Sequence, residues 1–123
     1  MNRYEAAALT GLPDGAPMSA HAAQLRSAGL ARGVITAGAT PALFFDGDTE
    51  FQLEPPTVSV ADVIGAGDAL AGTMAGAIAS GRPFREAARL GMAAAALTAA
   101  RAGAAPAIAL AEIEALAQTV RDA

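Results

Sequence analysis

Chemistry concentrates in one stretch, Asp62-Val63-Ile64-Gly65-Ala66-Gly67-Asp68. A Pro-rich turn (Pro55, Pro56) and a short β-branched segment, Val58-Ser59-Val60, lead in. The run of small apolar residues from Ala69 to Ser80 leads out and reads as a helix. The glycines therefore lie on a loop that opens a helix. Unpaired backbone N–H groups and the positive end of the helix dipole make such a position an anion site. Gly65 and Gly67 lack the Cβ atoms that would hold a phosphate away from the backbone. Asp68 falls in the first helical turn, where its charge opposes that of a bound anion. The arrangement has a purpose if the carboxylate takes the proton of a nucleophile attacking a bound phosphoryl group. A plainer reading is a Gly-rich helix start with an acidic first turn, and glycine motifs alone do not separate the two.

The elements that must position this loop follow from periodicity and punctuation. Asn2 to Thr10 reads as a helix, with Asn2 as cap and Glu5 three positions later as in a capping box. Tyr4, Ala8 and Leu9 are expected to face a core, and Gly11-Leu12-Pro13-Asp14-Gly15 ends the helix. Pro17 to Ala28 is a second helix with Met18, Ala22 and Leu25 on one stripe. His21, the single histidine, is expected at the surface or partly buried. Val34-Ile35-Thr36 is expected to be a buried parallel strand. Gly38-Ala39-Thr40-Pro41 is a turn and Ala42-Leu43-Phe44-Phe45 a second strand. Asp46-Gly47-Asp48-Thr49 carries the Asp-Gly signal of a hairpin, from which Phe51-Gln52-Leu53 returns. The acids Asp46, Asp48 and Glu50 lack the spacing of a calcium loop and read as a solvated hairpin tip. After the glycine loop, Phe84 to about Ala102 is a helix with Leu90, Ala94 and Leu97 at helical spacing. Ile113, Leu116, Ala117 and Val120 form the stripe of a terminal helix. Met74 and Met92 read as core filler.

Composition bounds the rest. The 123 residues suffice for one domain, read as a single domain over 1–123. Apolar residues make up 54%, but aromatics only 4%, so the core must come from close packing of small side chains. Net charge is −4 and no basic block exists, which argues against a nucleic-acid surface. There is no cysteine for a disulfide or a Cys-based zinc site. Met1-Asn2-Arg3-Tyr4-Glu5 lacks the apolar core of a signal peptide. Ala69 to Gly81, with Gly72-x-x-x-Gly76, is too short to span a membrane. The expected location is the cytoplasm, with no membrane partner.

The signature D-[T/V]-x-G-A-G-D, followed by small residues and a helix, resembles that of the ribokinase-like (phosphofructokinase B) carbohydrate kinases. The match covers Asp62 to about Gly81, and weaker resemblance runs along nearly the whole chain. The resemblance implies the C-terminal part of a ribokinase-like three-layer α/β/α fold, with a β-hairpin and several packed helices. It implies Asp68 as catalytic base and the backbone of Gly65, Ala66 and Gly67 as an anion hole for the transferred phosphoryl group. Asn2-Arg3-Tyr4-Glu5 with Leu9-Thr10-Gly11 is similar to the family's N-x-x-E segment. That carries to Glu5, and to Asn2, an indirect role toward magnesium, beside the simple capping role. Thr36-Ala37-Gly38-Ala39-Thr40-Pro41 resembles a loop that touches the nucleotide, which implicates Thr36 and Gly38. Pro41 departs from the usual glycine there and lacks an N–H. Ala93 to Thr98 resembles the helix lining the adenine pocket, which implicates Thr98. Arg101-Ala102-Gly103 resembles a loop that completes a monovalent-cation site with Asp62 and Ile64. Arg101 serves equally as a helix C-terminal charge facing the dipole.

The activity so implied is ATP-dependent phosphoryl transfer to a hydroxyl of a sugar or nucleoside, with Mg2+ and in some members K+. Asp-Val in place of Asp-Thr, with Ala-Ala-Ala-Leu-Thr later, is similar to pseudouridine kinases. Family members are about twice to three times as long as one domain of this size. The sequence therefore resembles the nucleotide and base portion, with the N-terminal substrate and lid portion absent. Alternatives are an inactive nucleotide-binding fragment or an oligomerisation module, and a missing half or a homodimer would be its partner. A dinucleotide-binding domain is excluded on pattern, since Leu70 stands where a third glycine is required.

Overall fold

The computed structural model describes residues 1–103 and 106–123. The chain divides into two compact units, Met1–Glu54 with Asp122–Ala123, and Pro55–Arg121.

The first unit contains α1 (Arg3–Thr10), α2 (Met18–Ser27), β1 (Arg32–Ala37), β2 (Thr40–Asp46) and β3 (Thr49–Leu53). A complete capping box starts α1. Asn2 Oδ1 accepts the Glu5 N–H at 2.9 Å and Glu5 Oε2 accepts the Asn2 N–H at 2.7 Å. Such a cap stabilises a helix start by roughly 1 kcal/mol. The face turned inward is not the expected one. Ala6 and Ala7 are buried, whereas Tyr4 and Leu9 are 67% and 68% exposed and Ala8 is exposed too. Alanine allows α1 a close approach that Tyr4 or Leu9 would prevent. The α2 stripe is as expected, with Ala22 and Leu25 buried and Met18 packed against them.

The sheet order is β1-β2-β3 with both pairings antiparallel. This corrects the expectation of a parallel strand at Val34–Thr36. A two-residue turn joins β1 directly to β2, and so short a link can only reverse the chain. Parallel pairing is confined to a bridge between Asn2 and Thr36 on the outer edge of β1. The hairpin at Asp46–Thr49 forms as the Asp-Gly signal requires, with Gly47 at φ 56°. Pro41 is tolerated because it sits at the start of its strand, beside the register shift between Ile35 and Ala37.

Alternation then sorts the side chains. Ile35, Leu43 and Phe45 join Ala6, Ala22 and Leu25 in one cluster. Each large side chain so buried contributes about 1.5–3 kcal/mol. Phe44 lies on the other face, stacked on Phe51 with centroids 5.3 Å apart. Arg26 lies over the Phe45 ring at 5.6 Å and pairs with Glu50 at 2.6 Å. His21 is 1% exposed, more deeply buried than the expected surface or partly buried position. Its Nδ1 lies 2.8 Å from Thr10 Oγ1, which itself donates to Ala6 O at 2.8 Å. The Thr10 proton is thus committed, so Nδ1 carries the hydrogen and Thr10 accepts it.

The second unit contains α3 (Ala66–Ala79), α4 (Phe84–Ala99) and α5 (Leu110–Ala117). The α3–α4 pair packs closely because Gly91 faces Leu70 and Met74. A Cβ there would fall 2.6 Å from Met74 Cγ and 3.1 Å from the Leu70 carbonyl oxygen. Ala77, Ala87, Leu90, Ala93 and Ala117 form a cluster joining all three helices, with Ile113 and Leu116 packed against it. Helix α3 begins three residues earlier than the sequence indicates, so the glycine loop itself supplies its first turn.

Candidate active site

The Asp62–Asp68 segment is held from both sides. The N–H groups of Ala61 and Asp62 both donate to Ala99 O, at 2.8 and 3.1 Å. They satisfy a carbonyl left over at the end of α4 and tie the loop to it. Asp62 Oδ1 accepts the Ile64 N–H at 2.9 Å, which closes a local turn. Gly65 follows as N-cap of α3 with φ 81°, in the left-handed region that favours glycine. The Ala66 N–H turns back to Val63 O at 3.2 Å, and the Ala69 N–H reaches Gly65 O at 2.9 Å. Between them, the N–H groups of Gly67 and Asp68 have no acceptor among the described residues. They point outward from a helix N-terminus, and a Cβ on Gly67 would meet open space. Two free donors and the dipole are what an anionic oxygen requires.

Asp68 lies in this first turn, exposed, with no hydrogen bond or ion pair among the described residues. Its carboxylate is available to an incoming group. Gly65 and Asp68 line a cleft of about 360 Å³ together with Ala69, Thr73, Ala94, Thr98, Pro106, Ile108 and Ile113. That volume lies within the range of small-molecule sites. The floor comes from two helices at i, i+4 spacing, with Gly65, Ala69 and Thr73 on α3 and Ala94 and Thr98 on α4. So the Gly65 cap, the Asp68 carboxylate and Thr98 line one cavity. Ala66 and Gly67 form the helix turn beside it. The sequence reading passed over Thr73, Ile108 and Ile113. Thr73 was legible as two helical steps beyond Gly65; Ile113 reads only as part of a terminal-helix stripe, and Ile108 carries no local signal.

Of the residues implicated in cation binding, Asp62 and Ile64 meet in the turn just described. The Arg101 side chain turns to Glu112 and to the carbonyl of Ala107. Gly103 follows at φ 103°. Asn2, Glu5, Thr36 and Gly38 belong to the first unit. Asn2 bridges to Thr36, whose N–H donates to Met1 O at 3.0 Å. Asn2 and Glu5 spend one oxygen each in the capping box. No group of three or more His, Cys, Asp or Glu converges among the described residues.

A larger depression, about 430 Å³, lies between α4 and α5. It is lined by Arg82, Glu86, Arg89 and Glu114, among others. Arg82 binds Glu86 at 2.7 Å and Glu114 at 2.9 Å. The hydrogen bond to Glu86, then that to Glu114, raises its pKa above the ordinary arginine value. These charges satisfy one another and leave little for a ligand, so the smaller cleft is the better site.

No helix among the described residues is long and apolar enough to cross a membrane. A comparison with curated proteins finds no match. Solved structures do match. A carbohydrate kinase from Agrobacterium tumefaciens is 41% identical with a TM-score of 0.75, over 99% of this chain and 38% of its own. Phosphofructokinase-2 from Escherichia coli in complex with potassium is 25% identical with a TM-score of 0.85, over 96% and 39%. Arabidopsis thaliana ribokinase complexed with ribose and ATP is 25% identical with a TM-score of 0.76, over 96% and 38%. The chain thus has the α/β ribokinase-like fold of these proteins and spans 38–39% of their length. The family model for pfkB family carbohydrate kinases matches residues 1–110, and the chain belongs to that family.

Proposed function

We propose that this chain supplies the nucleotide site and the catalytic base of an ATP-dependent kinase acting on a hydroxyl of a sugar or nucleoside. The observation that carries the reading is the shared cleft. Gly65, the unpartnered Asp68 carboxylate and Thr98 line one cavity, and the free N–H groups of Gly67 and Asp68 belong to the helix turn at its side. The γ-phosphoryl oxygens of ATP would take the N–H groups of Gly67 and Asp68, and the purine would lie toward Ala94 and Thr98. Asp68 orients the acceptor hydroxyl and receives its proton. The bond from that oxygen to the γ-phosphorus forms as the bond to the bridging oxygen breaks, releasing ADP. A carboxylate can serve as the base, because the hydroxyl becomes acidic only late in a loose transition state. The N–H pair stabilises the charge on the moving group. Mg2+, when bound, would neutralise charge on the nucleotide phosphates, and Glu5, with Asn2, would support it indirectly. Thr36 and Gly38 are nucleotide-side positions on the same reading. Asp62 and Ile64 with the Arg101–Gly103 backbone would hold a monovalent cation such as K+. A cytoplasmic location suits an enzyme that uses ATP.

A second reading has a specific observation in its favour. The chain spans well under half the length of the kinases it matches. We infer that the acceptor site needs residues beyond these 123, from a longer polypeptide, a second copy or a separate partner. By itself the chain would bind Mg-ATP without transferring phosphate, since little besides Asp68 remains to orient an acceptor. The test is calorimetric titration of the chain with Mg-ATP, beside Gly67→Val. A valine there points its methyl groups into the open space the phosphate needs. Saturable binding lost in the variant supports the site. Equal binding by both proteins would place the nucleotide elsewhere.

A further inference from the structure

We propose that Arg101 is a positioning residue that fixes the outer wall of the Gly65–Thr98 cleft. The inference rests on the nucleotide reading above and extends it to a residue that does not line the cavity. Three of the lining residues, Pro106, Ile108 and Ile113, come from the chain between α4 and α5 and from the first turn of α5. Its described residues 106–109 form no helix or strand. Arg101 grips it at two points. Nη1 donates to the carbonyl of Ala107 at 2.5 Å, and Nη2 pairs with Glu112. Ala107 lies between the two lining residues Pro106 and Ile108, and Glu112 directly precedes Ile113. Each anchor is thus adjacent in sequence to a wall residue.

Arg101 itself is set by the end of α4, where its N–H donates to Thr98 O at 3.2 Å. Thr98 lines the opposite side of the same cleft. One residue therefore ties floor to wall, three positions beyond Thr98. The planar guanidinium suits the task, since its fork reaches a carbonyl and a carboxylate together. Arg101 and Glu112 are 35% and 45% exposed, so water screens the pair and it adds little to overall stability. Its effect is local. It decides how often the segment opens.

The test compares wild type with Arg101→Met, which keeps the apolar stem, with Arg101→Lys, and with Glu112→Gln. Hydrogen exchange is read at the amides of Glu112 and Ile113, which both donate to Ala109 O. Mg-ATP affinity is read by calorimetry. In Arg101→Met, exchange should rise about fivefold to tenfold while the melting temperature holds. Affinity should fall about threefold to tenfold, with Arg101→Lys and Glu112→Gln in between. Added salt should weaken binding in wild type more than in Arg101→Met. Unchanged exchange in Arg101→Met would overturn the anchoring. Faster exchange with unchanged affinity would overturn the positioning role. If wild type does not bind Mg-ATP yet exchange still accelerates, the nucleotide reading fails and the anchoring stands.

Discussion

Gly65, the cap of α3, and Gly72 and Gly76 within it provide the sharpest test of how the helix-opening turn is built. The same substitution, Gly→Ala, should have opposite signs at Gly65 and at Gly72 or Gly76. At Gly65 the backbone has φ 81°, where an L-residue costs about 1–2 kcal/mol. Reduced freedom of the unfolded chain returns only about 0.4–1 kcal/mol, which leaves a net loss near 1 kcal/mol. Gly72 and Gly76 are in the helix body, exposed, and an added Cβ meets nothing within 4 Å. Alanine there should gain about 0.5–1 kcal/mol. The two kinds of variant should thus melt roughly 6–8 °C apart, on either side of wild type. Gly65→Ala should also weaken Mg-ATP binding about tenfold, because shifting the cap re-aims the Gly67 and Asp68 donors and one charge-assisted bond is worth about 1.5–3 kcal/mol. Thermal melts and calorimetric titration of the three variants decide it. A Gly65→Ala protein as stable as Gly72→Ala, with unchanged affinity, would refute the left-handed turn as the device that aims these groups.

Other consequences are as direct. Asp68→Asn should bind Mg-ATP as well as wild type or severalfold tighter, since it removes a charge facing phosphate, yet abolish transfer once the acceptor portion is supplied; retained transfer would remove Asp68 from the base role. Gly91→Val should lower stability by about 1–3 kcal/mol, because the Leu70 carbonyl cannot move aside as Met74 can. A urea midpoint equal to wild type would show that α3 and α4 separate freely. Thr10→Val should cost about 1–3 kcal/mol by leaving the buried His21 Nδ1–H without an acceptor. An unchanged midpoint would mean that another group accepts that proton. Asn2→Ala should cost roughly 1 kcal/mol through the α1 cap, read by the same denaturation.

What the sequence determined by itself was local. Asn2 with Glu5 specifies a capping box, Asp46-Gly47 a hairpin, and Gly65 to Asp68 a helix start with free donors, because each depends on neighbours within a few residues. The family was legible for the same reason, since its signature is one contiguous turn. The tertiary structure decided everything that needed a distant partner. The strand at Val34–Thr36 reads the same in either direction, and only its pairing with β2 makes it antiparallel. In α1 both alanines and larger residues were available to face inward, and close packing selected Ala6 and Ala7 over Tyr4 and Leu9. The buried His21 has its Nδ1 hydrogen-bonded to Thr10, eleven residues away. The cleft is the clearest case. Its wall brings Ile108 and Ile113 beside Gly65 across more than forty residues, and no periodicity in the sequence encodes that meeting. Backbone geometry is written in short words along the chain, whereas a cavity is made by side chains that the packing of three helices brings together.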